Sequence, residues 1–309
     1  MADVVSWSLQ TLPRQRGRTA VVTGANSGIG LETTRGLAAL GVRVVMACRS
    51  LDKAHAAADD VRKSLPGADL DVRELDLADL ASVAAFAETF LEGDRIDRLV
   101  NNAGVMALPE RKETADGFEM QFGTNVLGHF ALTARLLPNV LAAPGSRVVW
   151  LSSIAHRDGR LRLTDLQSED RYDPWAAYRQ SKLADLMLSI EMQRRLAARG
   201  EDTVSVAAHP GVSATALSDD MMEGKPILSA VFGALSKVAI MPAWRGALPT
   251  LVAAAGHDPQ PGGYVGPDGF REMRGDPAPA EIAPRALDPV AARQLWDACQ
   301  TLTGVEMLS

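Results

Sequence analysis

Residues 19–30 read TAVVTGANSGIG. Thr19 to Thr23 is a short apolar run rich in β-branched residues. It is continuous rather than alternating, the signature of a strand covered on both faces. Gly24, Gly28 and Gly30 follow at once, and a helical pattern runs from about Gly28 to Leu40. A strand that turns through glycines into a helix brings backbone N–H groups and the positive end of the helix dipole to one point. A dinucleotide pyrophosphate needs that arrangement, with glycines permitting close approach of the chain. The spacing is G-x-x-x-G-x-G, with Ser27 and Ile29 inside it, not G-x-G-x-x-G. A glycine triplet alone is a weak signal and is also met in plain turns. The strand–turn–helix context at the first βα junction makes it a phosphate cradle.

Working outward, short apolar runs alternate with helical patterns along the chain. Val42–Ala47 reads as a strand and Asp52–Leu65 as a helix. Asp69–Leu75 is strand-like and Ala78–Leu91 helical, and another strand leads into Asn101. A long helical pattern covers Ala115–Leu141. Ser146–Ser153 is a strand, Pro174–Arg199 a helix, and Thr203–Gly211 starts as a strand. The segment GGYVG at 262–266 closes the sheet. Alternating strands and helices with continuous buried runs predict an α/β protein with one doubly wound Rossmann fold: a parallel seven-stranded sheet flanked by helices. No composition break separates two domains. Residues 1–17 are expected to be a leader, with Arg14, Arg16 and Arg18 on a solvated arm. Residues 18–309 form the single catalytic domain. Within it, Ser213–Met241 is either a substrate lid or a pair of short surface helices. Residues 258–309 form a loop-rich tail: Asp258–Pro284 carries six prolines, and a short helix, Pro289–Thr301, follows.

Bulk properties exclude several classes. The 309 residues carry a formal charge of −6 and no basic stripe, so no nucleic-acid partner is expected. Two distant cysteines, Cys48 and Cys299, suggest neither a metal site nor a disulfide framework, which suits a reducing cytoplasm. No run of about 18 apolar residues predicts a membrane span.

Three further stretches, NNAG at 101–104, YRQSK at 178–182 and HPGVSAT at 209–215, follow TGANSGIG at 23–30 in order. Together they resemble the short-chain dehydrogenase/reductase family from about Arg18 to Thr215, and the tail only weakly. ANSGIG, ACR, SSIAH and the long gap before the tyrosine look most like its retinol-dehydrogenase-like and protochlorophyllide-reductase-like branch. Tyr178 and Lys182 are i and i+4, on one helix face. A phenol ordinarily titrates near pH 10, and lowering it by about 2–3 units takes about 3–4 kcal/mol. One cation about 4 Å away at an effective dielectric near 20 supplies about 4 kcal/mol. One lysine is therefore enough. Leu183, Leu186, Met187 and Ile190 form the buried stripe beside the pair. Alone, the pair reads as an ordinary helix surface.

The resemblance implies that Tyr178 gives or takes the proton, and that Lys182 tunes it and binds the nicotinamide ribose. It implies that Ser153 holds the substrate oxygen, with Ser152 as the alternative. It also implies that Asn125 holds a water completing a proton relay. Cofactor contacts are expected from Gly24, Ser27, Gly28, Ile29 and Gly30, and from Asn102, Ala103 and Gly104. Asp76 and Leu77 match the adenine contact, and Pro210, Gly211, Val212 and Thr215 the carboxamide loop. His129, His156 and His209 read as structural. Where an NAD enzyme places an acid after the second strand, this chain has Arg49, whose guanidinium suits a 2′-phosphate. NADP(H) is expected over NAD(H).

The expected function is hydride transfer between nicotinamide and a carbonyl or an alcohol of a small apolar substrate, in a homodimer or homotetramer. Ile227, Leu228, Val231, Phe232 and Leu235 give the lid its apolar character. Two other readings compete. One is a C=C reductase of the protochlorophyllide-reductase type, which would need cysteines in the substrate region. The other is a dinucleotide sensor without chemistry, and the intact catalytic set argues against it.

Overall fold

The computed structural model describes residues 11–212, 241–258 and 260–308. Its centre is one eight-stranded sheet in the order β3-β2-β1-β4-β5-β6-β7-β8. The strands are β1 (Thr19–Thr23), β2 (Arg43–Cys48), β3 (Leu70–Glu74), β4 (Arg98–Asn101), β5 (Arg147–Leu151), β6 (Val204–Ala208), β7 (Tyr264–Pro267) and β8 (Pro277–Pro279). The first seven strands are parallel, as expected from their continuous apolar runs. β1 lies between β2 and β4, with Val21 opposite both Val45 and Leu99. The chain reverses its winding direction there, and the crevice at the carboxyl ends of β1 and β4 is where such sheets bind ligands.

The eighth strand corrects the seven-strand expectation. β8 pairs antiparallel with β7, Gly266 opposite Ala278. Its sequence is Pro-Ala-Pro, which is tolerable only on a sheet edge, where the missing N–H groups face no partner strand. Proline density made this stretch read as loop.

Helices cover both faces. On one side lie α1 (Gly28–Ala39), α2 (Leu51–Ser64), α7 (Ala243–Gly246) and α8 (Leu248–Ala255). Side chains of α1, α2 and α8 pack with Val22, Val44 and Val206. On the other lie α3 (Leu80–Glu88), α5 (Gly128–Leu141), α6 (Pro174–Ala198) and α9 (Pro289–Thr303), packed with Val21, Leu99 and Trp150. α7 and α8 are additional to the expected elements. The run LPTLVAAA is apolar all round because α8 is buried almost all round, so it carries no 3.6-residue period.

The helix expected over Ala115–Leu141 starts only at Met120. Asp116 and Gly117 form a turn, Gly117 at φ +83°. The Glu119 carboxylate then caps α4 (Met120–Phe122), accepting from the N–H groups of Gln121 and Phe122. α4 passes through a π-helical turn, Gly123–Leu127, into α5. The expected solvated arm is also attached. Leu12 and Gln15 are buried, Arg14 donates to the carbonyl of Ala39, and Arg18 pairs with Asp97. The proposed lid lies outside the described residues except for Met241, which is buried and donates its N–H to the carbonyl of Val212.

Candidate active site

The glycine turn joins β1 to α1. Gly24 and Gly28 sit at φ +63° and +54°, backbone regions that glycine enters freely. A Cβ on Gly30 would fall 2.2 Å from the carbonyl oxygen of Gly24 and 2.5 Å from Asn102 Nδ2. Three stretches therefore meet with no room for a side chain. Ser27 is the N-cap of α1, yet its hydroxyl makes no capping bond. The first N–H groups of α1 are thus left for an outside acceptor.

Thr23, which the sequence reading passed over, organises the neighbouring loop. Its hydroxyl accepts from the N–H groups of Asn102 and Ala103, both at 2.9 Å, and bonds His129 Nε2 at 2.9 Å. Asn102 Nδ2 donates to the Thr23 carbonyl at 2.7 Å. His129 Nδ1 bonds the carbonyl of Asn125 at 2.9 Å. Burial pushes His129 down to about 3, with Lys182 contributing and the bond to the Asn125 carbonyl opposing, so the imidazole is neutral. Its role is structural, tying β1 to the helix that carries Asn125.

Asn125 lies in the π-helical turn, wholly buried. Its side chain accepts from the Val105 N–H at 2.8 Å and donates to the Val105 carbonyl at 3.0 Å and to Ser181 Oγ at 2.9 Å. Such π turns recur where a helix must present one side chain to a site. A Cβ on Gly104 would lie 3.0 Å from Asn125 Oδ1 and 3.6 Å from Lys182 Nζ. The NNAG loop, the π turn and α6 thus converge on one small volume.

α6 supplies Tyr178 and Lys182. It begins at Pro174 with Asp173 as N-cap, accepting from the Ala176 N–H at 2.7 Å. Tyr178 is half-buried, its ring edge-on to Trp175 with centroids 6.1 Å apart. Lys182 is buried. Nζ donates to the Leu151 carbonyl and to Asp185 Oδ2, each at 2.9 Å. Asp185 is a second residue the sequence reading missed, although its i+3 spacing from Lys182 was legible.

The two serines after β5 separate cleanly. Ser152 is buried and its hydroxyl donates to the Lys182 carbonyl at 2.7 Å. Ser153 is half-buried and caps the 3-10 turn Ile154–Asp158, accepting from the Ala155 N–H at 3.2 Å. Its proton has no acceptor among the described residues. The Ser153 carbonyl bonds His156 Nδ1 at 2.7 Å. Burial lowers both His156 and His209. His209 Nε2 bonds Glu272 Oε2 at 3.0 Å, and Arg157 pairs with the same carboxylate at 2.7 Å. These contacts fasten the serine turn to the chain after β7.

The remaining expected contacts ring the same edge. Arg49, just past β2, is exposed and has no ion pair or hydrogen bond among the described residues. Asp76 follows β3 and accepts from the Ala78 N–H at 2.9 Å. Leu77 is buried, its carbonyl packed against Gly128. Ile29 is buried at the start of α1. Pro210, Gly211 and Val212 follow β6, with Gly211 at φ +66° beside the carbonyl of Met273. Thr215, Ile227, Leu228, Val231, Phe232 and Leu235 lie outside the described residues. Cys48 and Cys299 are buried; burial raises Cys48 to about 11 and Cys299 further, so both are neutral thiols. No metal-ligating cluster exists among the described residues. No described helix is long and apolar enough to cross a membrane.

Comparison with known proteins decides the family. The profile described as short chain dehydrogenase matches residues 18–226. The chain belongs to the short-chain dehydrogenase family. Human retinol dehydrogenase 13 is 40% identical over 97% of this chain and 87% of its own length. Human retinol dehydrogenase 12 is 39% identical over 94% and 87%. A crystal structure of an uncharacterized protein from Mycobacterium paratuberculosis superposes with TM-score 0.80 at 41% identity, covering 97% of this chain and 98% of that one. The active-site NADP complex of Pseudomonas aeruginosa RhlG superposes at 0.60 with 25% identity, covering 78% and 90%. This short-chain dehydrogenase is accordingly an NAD(P)-dependent oxidoreductase.

Proposed function

We propose that the chain is an NADP-dependent oxidoreductase acting on the carbonyl or the primary or secondary alcohol of an apolar substrate, with Ser153, Tyr178, Lys182 and Asn125 as its working residues. The observation that carries this reading is the convergence of Gly104, Asn125 and the Lys182 ammonium beside the helix face that bears Tyr178. The site fits a dinucleotide: the α1 N-terminus is uncapped by Ser27, Gly24 and Gly30 leave no room for a side chain, and Gly28 sits at φ +54°. NADP(H), when bound, supplies or accepts the hydride.

The chain's own residues handle the oxygen and its proton. Tyr178 donates the proton to the carbonyl oxygen during reduction and takes it during oxidation. Lys182 keeps a positive charge beside that phenol. Ser153, whose hydroxyl proton has no acceptor among the described residues, donates to the substrate oxygen. Ser152 does not, because its hydroxyl is committed to α6. Asn125 fixes the Val105 backbone and Ser181, holding the NNAG loop against α6. Arg49, exposed and without a partner among the described residues, receives a 2′-phosphate in a forked geometry. Retinol is an apolar primary alcohol, and the similarity to retinol dehydrogenases 12 and 13 supports a substrate of that character. Neutral buried thiols give no support to a cysteine-dependent C=C reductase.

The test is a panel of ketones, aldehydes and alcohols, retinoids included, run with NADPH and NADH side by side. On the best substrate, Tyr178→Phe should lower kcat/KM by about 10²–10⁴-fold. Undiminished turnover in that variant, or protein that never binds NADPH, refutes the reading.

A further inference from the structure

The Lys182 ammonium is held from behind. Of its two hydrogen bonds, one goes to the Leu151 carbonyl at the end of β5 and the other to Asp185 Oδ2, one turn further along α6. The side chains are 7% and 3% exposed. A carboxylate there is costly, since burial removes the water that would solvate it. Its second oxygen, Oδ1, is buried without a hydrogen-bond partner. Such a group is a poor device for stability alone, where an apolar residue would serve as well.

We propose, on the functional reading above, that Asp185 is a positioning residue: its carboxylate holds the Lys182 ammonium charged and in place beside Tyr178. The groups facing the pair leave it no substitute. On α6 itself the other titratable group that acts on Lys182 is Tyr178; Arg179, Glu191, Arg194 and Arg195 lie elsewhere on the helix. From α5 comes His129, neutral through burial and with the Lys182 charge nearby. From α9 comes Cys299, a thiol kept protonated by burial and by Asp185. From the end of β5 come only the Leu151 carbonyl and the Ser152 hydroxyl, which is spent on the Lys182 carbonyl. Burial by itself pushes a lysine down. Asp185, followed by Tyr178, overrides burial here and keeps Lys182 above its ordinary range. Burial raises Asp185 to about 6 against the opposing pull of Lys182, so both partners are ionised from neutral pH upward.

Asp185→Asn keeps the size and a hydrogen-bonding group while removing the charge. Two measurements test it. The first is a double-mutant cycle of Lys182→Met and Asp185→Asn in urea unfolding at pH 7, independent of turnover. Each single change should raise the unfolding constant by about 10²–10³-fold, and the double variant should fall at least about tenfold short of their product. The second is the alkaline limb of kcat/KM. With burial unopposed, the lysine loses its proton earlier, and the limb should move down by about 2 units or more. Asp185→Glu keeps the charge and should leave the limb within about half a unit of wild type; it also serves if the asparagine variant does not fold. Additive unfolding constants, or a limb that stays in place in folded Asp185→Asn, overturn the proposal. Lack of any turnover would count against the enzymatic reading, and the unfolding cycle would still decide the pairing.

Discussion

Arg49 shows how far one residue can be read alone. Its position after β2 and the missing acid were legible in MACRS, and the structure leaves its guanidinium exposed, with no partner among the described residues. A charge-assisted contact of this kind is worth about 1.5–3 kcal/mol. Arg49→Glu should therefore raise the KM for NADPH by about 10–100-fold while barely affecting NADH. Initial rates with both cofactors check this, and equal changes for both would show that Arg49 reads no 2′-phosphate. Lys182 shows the opposite case. Helical spacing sets it on the Tyr178 face, but nothing in YRQSK says that its ammonium also bonds Leu151 and Asp185. Those partners depend on how close α6 packs to the end of β5, which is a property of the fold.

The elements differ in how openly they declare themselves. β1 and α6 were legible almost to their ends, because apolar run, proline at N1 and N-cap all agree there. α8 and β8 were not. The first is apolar on every face and the second is bounded by prolines, so neither carries the expected period. The π turn at Gly123–Leu127 was hidden for a similar reason: one extra residue per turn leaves no mark in composition. The turn after β5 gives the prediction belonging to this scale. Both serines precede Ile154, and only the direction of the chain leaving β5 separates them. Ser153→Ala should lower kcat by about 10²–10³-fold, with a loss of about 1 kcal/mol or less from the missing cap on the 3-10 turn. Ser152→Ala should cost about 1 kcal/mol of stability and leave Tyr178 and Ser153 in place. Turnover and urea midpoints of both variants settle which hydroxyl meets the substrate, and a reversed pattern would make Ser152 the substrate ligand.

Across the whole molecule, buried imidazoles give stability a pH dependence. His129 drops to about 3 on burial, whereas in the unfolded chain it titrates near 6.5. Between those values the unfolded state binds the extra proton. This contribution is therefore complete above about pH 6.5 and is lost as the pH falls toward 3. His129 alone should cost about 2 kcal/mol between pH 6.5 and 5. Asp185 works in the other direction, since its raised value favours the folded state below about 6. Urea midpoints across this range for wild type and His129→Gln isolate the histidine, and an unchanged slope in the variant would refute the assignment.

The sequence by itself determined the doubly wound sheet and the glycine turn between β1 and α1, and its resemblance to the short-chain dehydrogenases nominated Ser153, Tyr178, Lys182 and Asn125 as one set. The sheet and the turn rest on local rules: period, spacing and the conformational freedom of glycine. The tertiary structure decided what lies across space. It tied the Ser152 hydroxyl to the Lys182 carbonyl and left the Ser153 proton without an acceptor among the described residues. It made Thr23 the anchor of the NNAG loop and set Asp185 behind Lys182. It placed the eighth strand on the sheet edge and folded the arm from Leu12 onto the domain. Most of these depend on hydrogen-bond partners between residues far apart in the chain, and the Lys182–Asp185 pair, though only three residues apart, depends on the burial that packing of α6 against β5 imposes.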